Sequence, residues 1–229
     1  MDTIISYMPL ILKGTSVTIS VSIASILLAV LLGLLGAWAK LSNSRVAQAA
    51  AGAYTTLVRG VPDLVLMLLI FYGGQQMLNN LGTSTGLWGY LEIDQFTAGF
   101  MTIGFIFGAY MTETFRGAYL AIPRGEIEAG VACGMSSWKV FSRVVWPQLV
   151  RHALPSFGNN WLVLLKTTAL VSVLGLHELV WEFFTAGRST RQLFSFFFVT
   201  LIIYLMLTAI SDIGIRWLDK RYSVGVRRA

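Results

Sequence analysis

The chain has 229 residues, 55% of them hydrophobic and only 12% charged, where a soluble domain carries roughly 25% charged residues; this excludes an ordinary soluble globular protein. The formal net charge of +6 lies beside apolar runs, so it marks membrane orientation rather than nucleic-acid binding. A single cysteine, Cys133, excludes a disulfide framework and a thiolate metal cluster within one chain, and reads as a small packing residue.

Several windows approach the ~20 apolar residues needed to cross a bilayer, and the mean hydropathy of +0.69 agrees. The first run covers about residues 15–38. It is too long for a cleavable signal peptide and lacks a basic leader with a cleavage site, so it is expected to be retained. The second covers about 61–78, and the third about 96–115, where Gly99, Gly104 and Gly108 allow close helix approach. The fourth covers about 155–176 and the fifth about 193–215. None alternates with a period of two, which excludes a barrel. The expectation is one all-α polytopic membrane domain, residues 1–229, with five transmembrane helices.

Lys and Arg set the orientation. Lys40, Arg45 and Arg59 lie between the first two spans; Arg116, Arg124, Lys139, Arg143 and Arg151 lie between the third and fourth. Arg216, Lys220, Arg221, Arg227 and Arg228 follow the fifth, and only Glu92 and Asp94 are charged between the second and third. Those three basic segments face the cytoplasm, with the N-terminus outside and the C-terminus inside. Arg188 and Arg191 fall in the outer loop, where Glu178 and Glu182 partly balance them.

Residues 117–154 are too polar to span. Pro123 precedes a helical stretch holding Gly125-Glu126-Ile127-Glu128-Ala129-Gly130 and then Gly134; Val144-Val145-Trp146-Pro147 stops it. Small residues at Ala129, Gly130, Ala132 and Gly134 give this helix a narrow ridge. Glu128 is expected near its N-terminus, where the helix dipole favours a carboxylate. Two readings stand on physics alone: a ridge that drops into a groove on a soluble partner, or an amphipathic helix lying on lipid.

Glu128-Ala129-Gly130, then Gly134, then the β-branched pair and Pro147 resemble the coupling-loop signature of ABC importer permeases, with Gly130 in place of the second alanine. Arg59-Gly60-Val61-Pro62 resembles the Arg-Gly-Thr-Pro that opens the second span of the polar amino-acid permeases. Gly108-Ala109-Tyr110 with Glu113 and Arg116-Gly117 resembles the end of their third span, and Lys166-Thr167-Thr168-Ala169-Leu170 their Lys-Asp-Thr-Ser-Leu stretch. The resemblance covers nearly the whole chain. The run 55–67 and the tail Arg221-Tyr222-Ser223-Val224-Gly225-Val226 look most like the branch serving histidine, lysine, arginine and ornithine.

This resemblance implies a type I ABC importer permease fold in a bacterial inner membrane. It implies a second homologous permease subunit, two ABC ATPase subunits on the cytoplasmic face, and a periplasmic or extracellular amino-acid-binding protein. ATP and Mg would be held by the ATPases, with no cofactor in this chain. Glu128, Ala129, Gly130, Gly134 and Pro147 would couple to the ATPase; Asp63, Leu66, Tyr110, Asn160 and Thr167 would be substrate-binding positions. Basic-amino-acid members often carry acids at the positions of Asn160 and Thr167; both are neutral here, so the paired subunit would hold the stronger acidic site.

Ionisable groups at bilayer depth are costly and mark function by default. Asp63 follows Pro62 at the start of the second span. It reads either as a carboxylate for a cationic side chain or α-ammonium, or as a structural partner of Arg59. Lys166 reads as paired with an acid or as a carboxylate ligand; Glu113 and Asp212 as turn-to-turn partners of Arg116 and Arg216. Gly158-Asn159-Asn160 is either an amide-lined site or helix packing. His152 and His177 sit near opposite ends of the fourth span, no metal motif or Walker A motif is present, and no nucleophile–base set is readable. The chain is therefore expected not to be an enzyme. The rival from another class is a membrane anchor without a pore of its own.

Overall fold

The computed structural model describes residues 2–222; residues 223–226 of the tail motif, with Arg227 and Arg228, lie outside the described residues. Every regular element among them is helical. After a short helix, Asp2–Ser6, come α1 (Met8–Leu41), α2 (Arg45–Gly60), α3 (Asp63–Thr85) and α4 (Gln95–Leu120). Then follow α5 (Arg124–Ala132), α6 (Ser137–Leu174), α7 (Leu179–Thr190) and α8 (Leu193–Tyr222).

Four helices, α1, α3, α6 and α8, are long and apolar enough to cross a membrane. The expected third span lies in α4, whose Thr, Gly and Glu113 dilute its hydropathy. Its 26 residues still reach about 39 Å at 1.5 Å per residue. Burial explains the dilution. Ile103, Ile106, Phe107, Ala109 and Met111 are at most 2% exposed, so α4 meets protein rather than lipid and need not be apolar all round.

Helix α4 packs along α1, with α2, α3 and α6 against its other faces. Small residues set the spacing, as the sequence led one to expect. A Cβ on Gly104 would come within 2.7 Å of Leu28, and one on Gly108 within 2.6 Å of the Tyr54 hydroxyl. On the facing helix, a Cβ on Gly36 would overlap Thr112.

Four local expectations are corrected. Pro147 does not stop the helix of the polar segment: α6 runs through it to Leu174, with a π-turn at Phe141–Val145 just before it. Proline has no N–H and its ring crowds the carbonyl four residues back; a π-turn absorbs that misfit without ending the helix. Pro155, expected near the start of the fourth span, lies inside Trp146–Thr167.

The segment between α6 and α8, expected to be an outer loop, is also ordered differently. It forms α7, because Glu178 accepts from the backbone N–H of Trp181 at 3.0 Å and Leu179, Phe183 and Ala186 recur on one buried face. Glu178 and Glu182 are at most 4% exposed, so they do not balance the surface arginines. Instead Glu182 pairs with Nδ1 of His177 at 3.2 Å, and Arg188 stacks over Phe184. Cys133, read as a packing residue, is exposed at the end of α5.

Candidate functional site

The break between α2 and α3 places the first candidates. Pro62 disfavours helical geometry in the residue before it, and Val61 is extended at φ −116, ψ 141. Asp63 therefore begins a new helix and is not a one-turn neighbour of Arg59 on a continuous one. The structural pair between them does not form. Arg59 instead lies over the Tyr110 ring, 5.3 Å from its centroid, and no salt bridge within 4.0 Å involves either charge among the described residues. Leu66 sits one turn beyond Asp63 and packs on the main core.

Tyr110 and Thr114 are one turn apart on α4 and so share a face. Asn160 on α6 reaches that face, its Nδ2 donating to Thr114 Oγ1 at 3.0 Å. Thr167, two turns beyond Asn160, donates its hydroxyl to the Val163 carbonyl at 3.0 Å. The structure thus places Asn160 of α6 against Thr114, one turn from Tyr110 on α4; among the described residues no hydrogen bond or ion pair joins Asp63 or Thr167 to them. Among the described residues Lys166 has no acid partner. It lines a mostly apolar cavity of about 500 Å³ with Thr200, Tyr204 and Thr208 of α8.

A more polar cavity of about 610 Å³ lies where α1, α2 and α4 converge, lined by Lys40, Thr55, Thr56, Arg59, Tyr110 and Glu113. The sequence suggested the Glu113–Arg116 pair, and it forms, with Arg116 Nη2 at 2.8 Å and Nε at 3.0 Å from Oε2. It did not suggest Lys40, whose ammonium donates to the other Glu113 oxygen and to Thr55 Oγ1. The available signal was a lysine in the last turn of an apolar helix and a carboxylate with one oxygen to spare. The Asp212–Arg216 pair also forms.

The polar segment after α4 is built differently from its expected form. Helix α5 places Glu126, rather than Glu128, in its first turn, and Glu126 accepts from Gln148 Nε2 at 2.6 Å. Glu128 and Ala129 are exposed and Gly130 is buried against Val140 and Val144. Gly134 closes the helix at φ +76. Its N–H bonds the Val131 carbonyl at 2.9 Å while Met135 N bonds the Gly130 carbonyl at 3.1 Å, the paired bonds of a glycine-terminated helix. Pro147 is exposed on the first turn after the π-turn. Glu128 and Ala129 thus lie together on an uncovered face, and Gly130 lies beneath them.

Residues 25–224 match the family model described as "Binding-protein-dependent transport system inner membrane component". The chain belongs to that family. It is 52% identical to the histidine/lysine/arginine/ornithine transport system permease protein HisQ of Escherichia coli, over 96% of both chains. It is 41% identical to the octopine transport system permease protein OccQ of Rhizobium meliloti, over 95% of this chain and 92% of the relative. A crystal structure of an amino acid ABC transporter with histidines superposes with a TM-score of 0.80 at 28% identity, over 95% of this chain and 96% of the other. An inward-facing methionine transporter, MetNI, shares the fold with a TM-score of 0.70 at 16% identity. As a member of the inner membrane component family, this chain is a permease subunit of an ABC importer with the type I permease fold. The anchor reading is not favoured.

Proposed function

We propose that this permease subunit forms, with a second homologous permease subunit, the inward path for basic amino acids: histidine, lysine, arginine or ornithine. The identity to HisQ over nearly the full length supports the substrate class. In this reading α1, α3, α4, α6 and α8 all cross the bacterial inner membrane. The N-terminus lies outside and the C-terminus in the cytoplasm, as the basic segments require. A periplasmic binding protein delivers cargo from above, and two ATPase subunits below hold ATP and Mg.

The observation that carries the coupling is the exposed Glu128–Ala129 face of α5, held on a rigid support. Gly134 fixes the end of that helix, Gly130 seats it on Val140 and Val144, and the Glu126–Gln148 bond ties its first turn to α6. Helix α6 is continuous from there to Asn160 and Thr167. A push delivered to Glu128 and Ala129 by closing ATPases would therefore reach the substrate path as a rigid-body movement. Asp63, Leu66, Tyr110, Asn160 and Thr167 contribute to the cargo site, and the neutral Asn160 and Thr167 leave the stronger acidic contacts to the paired subunit.

The test is Glu128→Lys in the reconstituted complex. ATP hydrolysis should proceed without uptake, or the ATPase should detach. Normal uptake by this variant would remove the coupling assignment.

A further inference from the structure

We propose that Arg59 is the carboxylate contact of an amino acid passing through the polar cavity at the junction of α1, α2 and α4. The proposal rests on the transport reading above and adds a site to it.

Charge accounting within the cavity makes the case. Three cations, Lys40, Arg59 and Arg116, stand near one acid, Glu113. Both oxygens of that acid are already taken, Oε1 by Lys40 and Oε2 by Arg116. Lys40 has a further acceptor in Thr55. Arg59 alone has neither a carboxylate within 4.0 Å nor a hydrogen bond among the described residues. Its guanidinium lies over the face of Tyr110. A ring beneath a guanidinium fixes its plane and leaves the N–H edges free. A planar fork with free edges matches a carboxylate in two parallel bonds. Thr56 lines the same cavity, with no side-chain hydrogen-bond partner among the described residues.

A basic residue in the last turn of α2 is favoured by the helix dipole alone, by only ~0.3–1 kcal/mol. That does not account for the ring under it, nor for an adjacent pair that consumes the only acid in reach. The Val61 and Pro62 break separates Arg59 from Asp63, keeping the two from neutralising each other. The cargo supplies both charges that they lack: a carboxylate for Arg59 and a cationic group for Asp63.

The complex of all subunits is placed in nanodiscs without nucleotide or binding protein. Binding of L-arginine and L-histidine is compared with that of argininamide and histidinamide, which lack the carboxylate. The wild-type complex should bind the acids at least tenfold more tightly than the amides. In Arg59→Gln, affinity for the acids should fall about tenfold to the level of the amides, with subunits still co-purifying; Arg59→Lys should lie between. Retained preference for the acids in Arg59→Gln overturns the proposal. Loss of subunit association in that variant also overturns it, because the carboxylate would then belong to a partner protein. If the wild-type complex neither binds nor transports any of these amino acids, the transport reading itself fails. If it transports them and Arg59→Gln is unchanged, only the carboxylate assignment fails.

Discussion

The Lys40 ammonium on the last turn of α1 donates to the Glu113 carboxylate on α4, and Arg116 closes on the other oxygen. This three-charge cluster joins the two most extensively packed helices at one end. Removing its acid leaves two cations facing each other in a partly buried site, which costs more than losing one hydrogen bond. Glu113→Gln should destabilise the complex by about 2–4 kcal/mol, and Lys40→Met in the same chain should restore part of that. Thermal unfolding of the four-variant cycle measures the coupling. Independent, additive effects would mean that the pair contributes nothing.

Stability should also depend on pH through Glu178. Its carboxyl is fully buried, caps α7 through Trp181, and approaches Thr18 Oγ1 at 3.3 Å. Burial pushes it up to about 7, against the opposing pull of backbone N–H groups at Val180 and Trp181 and the Thr18 hydroxyl. A raised carboxyl favours the protonated, folded form. Its contribution is fully present below the ordinary value near 4.5 and is lost as pH rises through about 7. The difference is on the order of 3 kcal/mol. The unfolding temperature should therefore fall between about pH 5 and pH 8, and Glu178→Gln should flatten the dependence. An unchanged slope in that variant would assign the effect to other groups.

Gly130 and Gly134 look alike in the motif but answer differently to a methyl group. At Gly130 a Cβ would lie 3.4 Å from Val140, an ordinary contact, and alanine is the better helix former by ~1 kcal/mol. At Gly134 the backbone is left-handed at φ +76, which costs an L-residue roughly 1–2 kcal/mol. Gly130→Ala should leave ATPase co-purification intact or improve thermal stability slightly. Gly134→Ala should lower both, and Gly134→Asn should be milder. Equal behaviour of the two alanine variants would show that the glycine termination of α5 is not what holds the coupling face.

Much of this was legible in the sequence because it rests on local chemistry. Apolar run length located four of the crossing-length helices, and the i, i+3 spacing of Glu113 and Arg116 foretold their pair. The glycines of α4 foretold its close packing. What stayed hidden depends on distance in the chain. Lys40 meets Glu113 across 73 positions, and Thr18 meets Glu178 across 160; nothing local signals either. Pro147 misled because a proline reads as a stop, whereas the π-turn before it lets α6 continue. Arg59 and Asp63 misled because their spacing of four suggests one helical face, and the extended Val61 between them removes it.

Asp63 provides the sharpest separation between cargo binding and packing. It starts α3 with a partly exposed carboxylate and no ion-pair partner among the described residues. A structural carboxylate would leave a partner orphaned on removal; this one has none to orphan. Asp63→Asn keeps the shape and the ability to begin a helix while removing the charge. Uptake of lysine, arginine and ornithine should fall by tenfold or more, the loss of a charge-assisted contact of ~1.5–3 kcal/mol, with assembly and ATPase association unchanged. Uptake of histidine, neutral in its side chain at pH 8, should fall less than that of arginine. Measured in proteoliposomes with the binding protein in excess, wild-type uptake of all four would remove Asp63 from the cargo path.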